Sequence, residues 1–247
     1  MNFLSLYKRF LIYLFKRKIN IDSEFLSQKN FEELFSYYGT DKASYWKDSK
    51  KGGHGYSEFY QKKLRKFKNS SINILEIGSY SGASAASFAK FFPNSKIYCL
   101  DVNISNFKYK SKQIKVIGLD VSKKNSQNKF LKLINRENNE PYFDIIIDDG
   151  SHILSDILNT FKSYFQLLKP NGYFIIEDYM HPNYFNHLKD IDHILIDKFI
   201  EFIYKKDFFT SKIFSKDEQK YLFKNIKTIE NFDGNLKESK IVFIEKN

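Results

Sequence analysis

The chain has 247 residues, 42% hydrophobic and 18% aromatic, enough apolar material for a sizeable core, which excludes a globally disordered protein. Its formal charge of +11 is spread along the chain rather than gathered in a block, as an AT-rich composition of Lys, Asn, Ile and Phe produces, so charge alone does not mark a nucleic-acid binder. Cys99 is the single cysteine, which rules out an intrachain disulfide and a cysteine-rich zinc site and fits a reducing cytoplasm.

The first stretch, MNFLSLYKRFLIYLFKRKINI, carries Lys8, Arg9, Lys16, Arg17 and Lys18 and no acid. Its longest uncharged apolar run, Phe10 to Phe15, is far short of the roughly 20 residues a spanning helix needs, and no signal-peptide pattern is expected. Two readings stay open. Residues 1–20 form a basic helix lying on anionic lipid, which would hold the protein at the inner membrane surface, or a helix whose aromatic side packs on the domain or on a second copy in a homo-oligomer.

From residue 24 to 70 the pattern is helical and polar, interrupted by YGTDK and by KKGGHGYSEFY, where Gly52, Gly53 and Gly55 around His54 predict a loop. Residues 1–70 are expected to be an appendage to a domain over 71–247. From residue 72, short apolar runs alternate with amphipathic stretches. INILEI (72–77) predicts a strand and SAASFAKFF (84–92) a helix; KIYCLD (96–101), IKVIGLD (114–120) and FDIIID (143–148) predict strands. Leu154, Ile157, Leu158, Phe161, Phe165 and Leu168 recur at helical spacing, KPNG (169–172) predicts a turn, and YFIIED (173–178) another strand. IKTIENF and SKIVFIE flank DGNLKE as a terminal hairpin. The expected fold is α/β: a doubly wound, mostly parallel, seven-stranded sheet with a C-terminal antiparallel hairpin strand.

In open α/β sheets, ligands bind beyond the carboxyl ends of the strands. Here those ends carry Glu76, Asp101, Asp120, Asp148 with Asp149, and Glu177 with Asp178. Any one of these acids reads as a solvated residue; five successive strands delivering acids to one edge read as a site. In the first turn, EIGSYSGAS, Gly78 and Gly82 enclose Ser79 and Tyr80, and Ser84 opens the next helix. Glycines there let the backbone approach a ligand, and the helix start offers N–H donors. The dinucleotide pattern G-x-G-x-x-G is absent, because Tyr80 stands where its second glycine belongs. Asp101, at the end of the second strand, is suitably placed to accept hydrogen bonds from two ribose hydroxyls. The expected cofactor therefore has a ribose and no diphosphate.

LEIGSYSGASAASFA followed by YCLDVN resembles the first motifs of class I S-adenosylmethionine-dependent methyltransferases. FDIIIDDGSH followed by LKPNGYFIIEDY resembles, more narrowly, the macrocin and mycinamicin sugar O-methyltransferases and their cephalosporin-hydroxylase-like relatives. YGTDKASYW with HGYSEFY resembles a segment that precedes the fold in that group, so the likeness covers roughly residues 38 to 178. It implies a Rossmann-like methyltransferase fold, S-adenosyl-L-methionine and Mg2+ as cofactors, and a sugar-containing acceptor. By this resemblance the turn from Gly78 to Gly82 wraps the methionine part of the cofactor, Asp101 holds the ribose, Asp120 lies near the adenine and Asp148 faces the amino end. Glu76, Ser79, Tyr80 and Ser84, in and beside that turn, are expected to line the same site. The resemblance further makes Asp149, Glu177 and Asp178 magnesium ligands and His152 the general base, with Asp149 beside it.

These roles make chemical sense. A sugar hydroxyl must lose its proton as it attacks a sulfonium methyl, and an imidazole can accept that proton near neutral pH. A hard cation held by carboxylates can orient vicinal hydroxyls and lower the pKa of the attacking one. Tyr56 has two readings, closing over the cofactor or anchoring the glycine loop. His181, after EDYM, is a further candidate for the site, and His187 and His193 read as structural. Among competing functions, base methylation of nucleic acid is disfavoured, because DDGS occupies the strand end where the Asn/Asp-Pro-Pro-aromatic tetrapeptide would stand. A non-catalytic cofactor-binding relative would be expected to have lost part of the acid set.

Overall fold

The computed structural model describes residues 3–26, 28–47, 49–123, 125–134, 140–189 and 194–247. In chain order, helices α1 (Phe3–Phe15), α2 (Phe31–Tyr38) and α3 (Ser57–Leu64) precede strand β1 (Ile72–Ile77). There follow α4 (Ala83–Phe91), β2 (Ser95–Asp101), β3 (Ile114–Gly118), α5 (Ser126–Leu133), β4 (Phe143–Asp148), α6 (Leu154–Tyr164) and β5 (Leu168–Glu177). The chain closes with α7 (His181–Tyr184), α8 (Ile196–Lys205), α9 (Lys216–Asn225), β6 (Ile226–Asp233) and β7 (Lys240–Lys246). Seven strands form one mostly parallel sheet in the order β6-β7-β5-β4-β1-β2-β3, a doubly wound α/β fold with its antiparallel hairpin at one edge. His193 lies outside the described residues.

Contacts divide the chain into two compact units, Met1–Asp120 with Gly234–Lys237, and Val121–Asp233 with Glu238–Asn247. Phe31 at the start of α2 is fully buried; it stacks on Phe91 of α4 at 3.9 Å between ring centroids and meets Tyr60 of α3 at 5.8 Å. One aromatic cluster therefore joins the N-terminal helices to the helix that follows β1. β1, β2 and β3 run parallel in register, Ile77 beside Leu100 and Asp101 beside Gly118. Strand β3 stops two residues short of Asp120.

The loop segments YGTDK and GGHGY pair through backbone. His54 N–H donates to Asp41 O (2.7 Å), Gly55 to Ala43 O (3.1 Å) and Tyr56 to Lys42 O (2.9 Å). A Cβ at Gly53 would stand 2.1 Å from Ala43 O, so only glycine allows this approach. Glu32 of α2 ties the loop to α3, accepting from Ser44 N (3.1 Å) and Ser57 Oγ (2.5 Å).

Helix α1 spends its charge inward. Arg9 donates to Val102 O (2.8 Å), Lys16 to Ser105 O (2.9 Å) and Asn106 O (3.1 Å), and Tyr13 meets Phe107 edge-on at 6.5 Å. Leu4, Tyr7, Leu14 and Phe15 remain exposed. Among the described residues no helix is long and apolar enough to cross a membrane.

In the second unit, β4 and β5 run parallel, with Asp148 beside Ile176, and β7 lies antiparallel between β5 and β6. The expected KPNG turn falls inside β5. The register slips there, from Phe143 beside Leu168 to Ile145 beside Tyr173, so the turn residues form an irregularity within a strand rather than its boundary. Buried Lys246 on β7 donates to Gln166 O (3.1 Å) and Leu168 O (2.7 Å), taking up carbonyls left over where the helical turn after α6 ends.

Candidate active site

In the first unit the site begins at the end of β1, where an apolar run passes directly into the glycine turn. Gly78 (φ +88°) donates to Leu100 O (2.8 Å) and Gly82 N–H to Ser79 O (2.7 Å), which folds the turn back on itself. Gly82 (φ +79°) precedes α4, and a Cβ there would stand 2.4 Å from the buried Phe107 ring. Sterics and backbone conformation both demand glycine, and no pattern in the sequence pointed to Phe107 as the reason. Tyr80 between them is non-glycine with φ +42° and is 65% exposed.

Asp101 at the tip of β2 holds this turn. Its Oδ2 accepts from Tyr80 N–H (2.7 Å) and its Oδ1 from Asn103 N–H (2.6 Å). An ionised carboxylate offers about four lone-pair positions, so each oxygen keeps capacity for a ribose hydroxyl while bracing the loop. Glu76 is fully buried in β1 and accepts a hydrogen bond from Ser84 Oγ in the first turn of α4, tying strand to helix. Ser79 is buried and donates to Glu76 O (3.3 Å). Asp120, partly exposed, follows the end of β3. Tyr56 is fully buried, its ring stacked on His54 at 5.3 Å, and His54 lies 3.9 Å from Asp41. These contacts hold Tyr56 to the glycine loop.

In the second unit, the three isoleucines of β4 are fully buried and deliver Asp148 and Asp149 to the strand end. Asp148 is almost fully buried and its Oδ2 has no hydrogen-bond partner among the described residues. Burial, and then the charge of Asp149, push its carboxyl up to about 8, against a backbone hydrogen bond from Gly150 that favours ionisation.

The backbone then turns through His152 in the left-handed region (φ +55°), while Ser151 Oγ donates to Asp156 Oδ2 (2.6 Å) at the start of α6. His152 Nε2 lies 3.8 Å from Asp149 Oδ1, both side chains 22% exposed. β5 ends in the same way. Asp178 takes φ +49°, and His181 Nε2, opening α7, lies 3.8 Å from Asp178 Oδ1. The two imidazoles meet edge-on, 4.9 Å between centroids. Each strand thus ends in D-x-x-H, Asp149–His152 and Asp178–His181, a repeated spacing in the sequence that singles out His181 as firmly as His152. His187 is exposed and meets Phe185 at 6.1 Å.

Of the expected carboxylate trio, Asp178 belongs to a gathered group of metal-capable donors. Ligand-capable atoms of His152, Asp178 and His181 lie within 4.8 Å of one another; Asp149 and Glu177 are not in that group. Glu177 is buried at the end of β5, where β7 pairs beside it at Ile241. The left-handed residues His152 and Asp178 redirect the chain just after the strands, so position along a strand end does not by itself decide which side chains meet.

Residues 75–179 match a family model described as a methyltransferase domain. The chain is 30% identical over 156 residues to mycinamicin VI 2''-O-methyltransferase of Micromonospora griseorubida, an alignment covering 60% of this chain and 36% of that protein. It is 29% identical over 132 residues to demethylmacrocin O-methyltransferase of Streptomyces fradiae, covering 51% and 32%. Among solved structures, MycE methyltransferase from the mycinamycin biosynthetic pathway, in complex with Mg and SAH, superposes with a TM-score of 0.65 at 25% identity over 89% of this chain and 54% of that one. The same enzyme in complex with Mg, SAH and mycinamycin VI gives 0.65 at 24%, over 89% and 55%. The chain spans about a third of the length of these curated relatives and about half that of the solved chains.

Proposed function

We propose that this chain, whose residues 75–179 are a methyltransferase domain, is an S-adenosylmethionine-dependent O-methyltransferase acting on a hydroxyl of a sugar-containing acceptor. The observation that carries the reading is the Asp149–His152 pair at the end of β4, faced by a second Asp–His pair at the end of β5. The names of the relatives, sugar O-methyltransferases of macrolide pathways, support the acceptor class.

The first unit fits the methyl donor. The turn from Gly78 to Gly82, both glycines at positive φ, would wrap the methionine part of the donor, with Gly82 packed against Phe107. Asp101 would accept from the ribose hydroxyls while bracing the turn through Tyr80 N–H, and Asp120 would lie beside the base. S-adenosylmethionine supplies an electrophilic methyl on sulfur.

The second unit supplies the proton acceptor. In the proposed reaction His152 takes the hydroxyl proton as the acceptor oxygen bonds to the methyl carbon and the carbon–sulfur bond breaks, its electron pair leaving with sulfur as a neutral thioether. At 3.8 Å, Asp149 is beyond hydrogen-bond length but stabilises the imidazolium as it forms. A full charge pair at that separation amounts to about 4 kcal/mol at an effective dielectric near 20, reduced by the partial exposure of both groups. Asp149, Glu177 and Asp178 offer the hard oxygen donors that a magnesium ion requires, and such an ion would supply orientation and acidification of the acceptor hydroxyl.

The test is transfer of labelled methyl to carbohydrate acceptors, with donor binding measured separately. His152→Ala is expected to lower kcat by about 10²–10⁴-fold while donor affinity stays near wild type. Asp101→Ala is expected to weaken donor binding by about ten- to a hundredfold. Undiminished turnover in His152→Ala would remove it from the role of base.

A further inference from the structure

The donors gathered at the ends of β4 and β5 are two imidazoles and one carboxylate, and that chemistry has a consequence beyond magnesium. We propose that His152, Asp178 and His181 form a binding site for a divalent transition-metal cation of the zinc and cobalt class, and that its occupation blocks methyl transfer. The second half of this statement rests on the function proposed above, because it takes His152 to be the base. The first half does not.

Magnesium demands oxygen ligands and keeps its waters, so it gains little from an imidazole. Cobalt, nickel and zinc follow the opposite preference, with affinity for nitrogen donors rising along the first row as far as copper. Two histidines and one carboxylate, with positions left open, is a donor set that such metals take readily and magnesium does not.

The geometry needs little change. Ligands bonded at about 2.1 Å to one ion stand roughly 3.0–3.4 Å apart, depending on the bond angle. His181 Nε2 and Asp178 Oδ1 stand 3.8 Å apart, and all three ligand atoms lie within 4.8 Å of one another. Rotations of about an ångström at the ring tips would close the set. The side chains are already largely withdrawn from water, Asp178 at 6% exposure, His181 at 17% and His152 at 22%. Asp178 contributes a negative charge to the centre of the group, and the imidazoles bind metal in their neutral form. A cation bound there would occupy a ring nitrogen of His152 and leave the ring unable to accept a proton through that atom.

Cobalt(II) is the probe, because its visible absorption reports the coordinating atoms without any turnover. Titrating the full chain is expected to give a saturable spectrum with nitrogen ligation that an excess of magnesium leaves in place. His181→Ala is expected to weaken cobalt binding by about tenfold or more, while His187→Ala, outside the group, leaves it unchanged. X-ray absorption of the zinc-loaded wild type is expected to show two imidazoles in the first coordination shell, a readout that holds even if a variant folds poorly. An all-oxygen shell, or equal cobalt affinity in His181→Ala, would overturn the site. Zinc is expected to abolish methyl transfer, and chelation followed by magnesium to restore it; full activity with zinc bound would overturn the inhibitory half alone. Should no methyl transfer be found with any acceptor, the proposed function falls while the cobalt titration still decides the site.

Discussion

Asp148 illustrates how one residue couples burial to pH. Its carboxyl stands at about 8 in the folded chain, while an unfolded aspartate ionises near 4. Between those values the folded state holds a proton that the unfolded state has released. Stability contributed through this residue is therefore fully present at low pH, falls as pH rises from about 4, and is lost by about 8. Asp148→Asn, neutral throughout, is expected to remove this dependence, so the thermal midpoint of the variant should gain on wild type between about pH 5 and about pH 8.5. Parallel melting curves across that range would mean that Asp148 is not held protonated. The sequence marks Asp148 by its place after three isoleucines, but its protonation follows from the layers that cover the strand, and those come from distant parts of the chain. Asp101 shows the reverse case. Its position at a strand tip was legible, yet its two backbone hydrogen bonds give it a structural duty as well.

At the scale of elements, the strands were legible because apolar runs and turn residues act between near neighbours. β1 and β4 span the residues expected of them, and the terminal hairpin forms around the DGNLKE segment as its flanking patterns require. KPNG was misleading for a local reason. Pro and Gly mark a departure from regular backbone, and here the departure is absorbed within β5 as a slip in register. The aromatic cluster under α2 was not legible at all, since nothing in FEELFSYY says which helix its phenylalanines will meet. Phe31→Ala, at a fully buried position stacked on Phe91, is expected to destabilise the fold by about 3–5 kcal/mol in denaturant unfolding. A loss under about 1 kcal/mol would show that the cluster collapses around the gap and that Phe31 does not hold α2 to α4.

For the molecule as a whole, the charge of +11 says less about partners than its distribution does. Three of the five basic side chains of the first twenty residues are engaged with backbone carbonyls: Arg9, Lys16 and Lys18. What α1 turns outward is chiefly apolar, Leu4, Tyr7, Leu14 and Phe15. On the reading in which residues 1–20 lie on a membrane surface, apolar insertion carries the contact more than charge does. Cosedimentation with vesicles containing anionic lipid is then expected to survive added salt in large part and to fall in the Leu14→Ser, Phe15→Ser double variant. Binding that salt abolishes and the double variant retains would assign the contact to Lys8 and Arg17 instead.

Periodicity, turn chemistry and the D-D-G-S-H strand ending were sufficient to read an α/β sheet and the glycine turn that follows its first strand. Each of those features depends on residues a few positions apart. The company His152 keeps could not be read that way. Asp178 and His181 reach it through the parallel register of β4 and β5 and through two left-handed residues that redirect the chain beyond the strands. Side chains far apart in sequence become neighbours only once hydrogen bonding between strands sets their heights and the backbone beyond sets their direction, and neither quantity is carried by any short stretch of the chain.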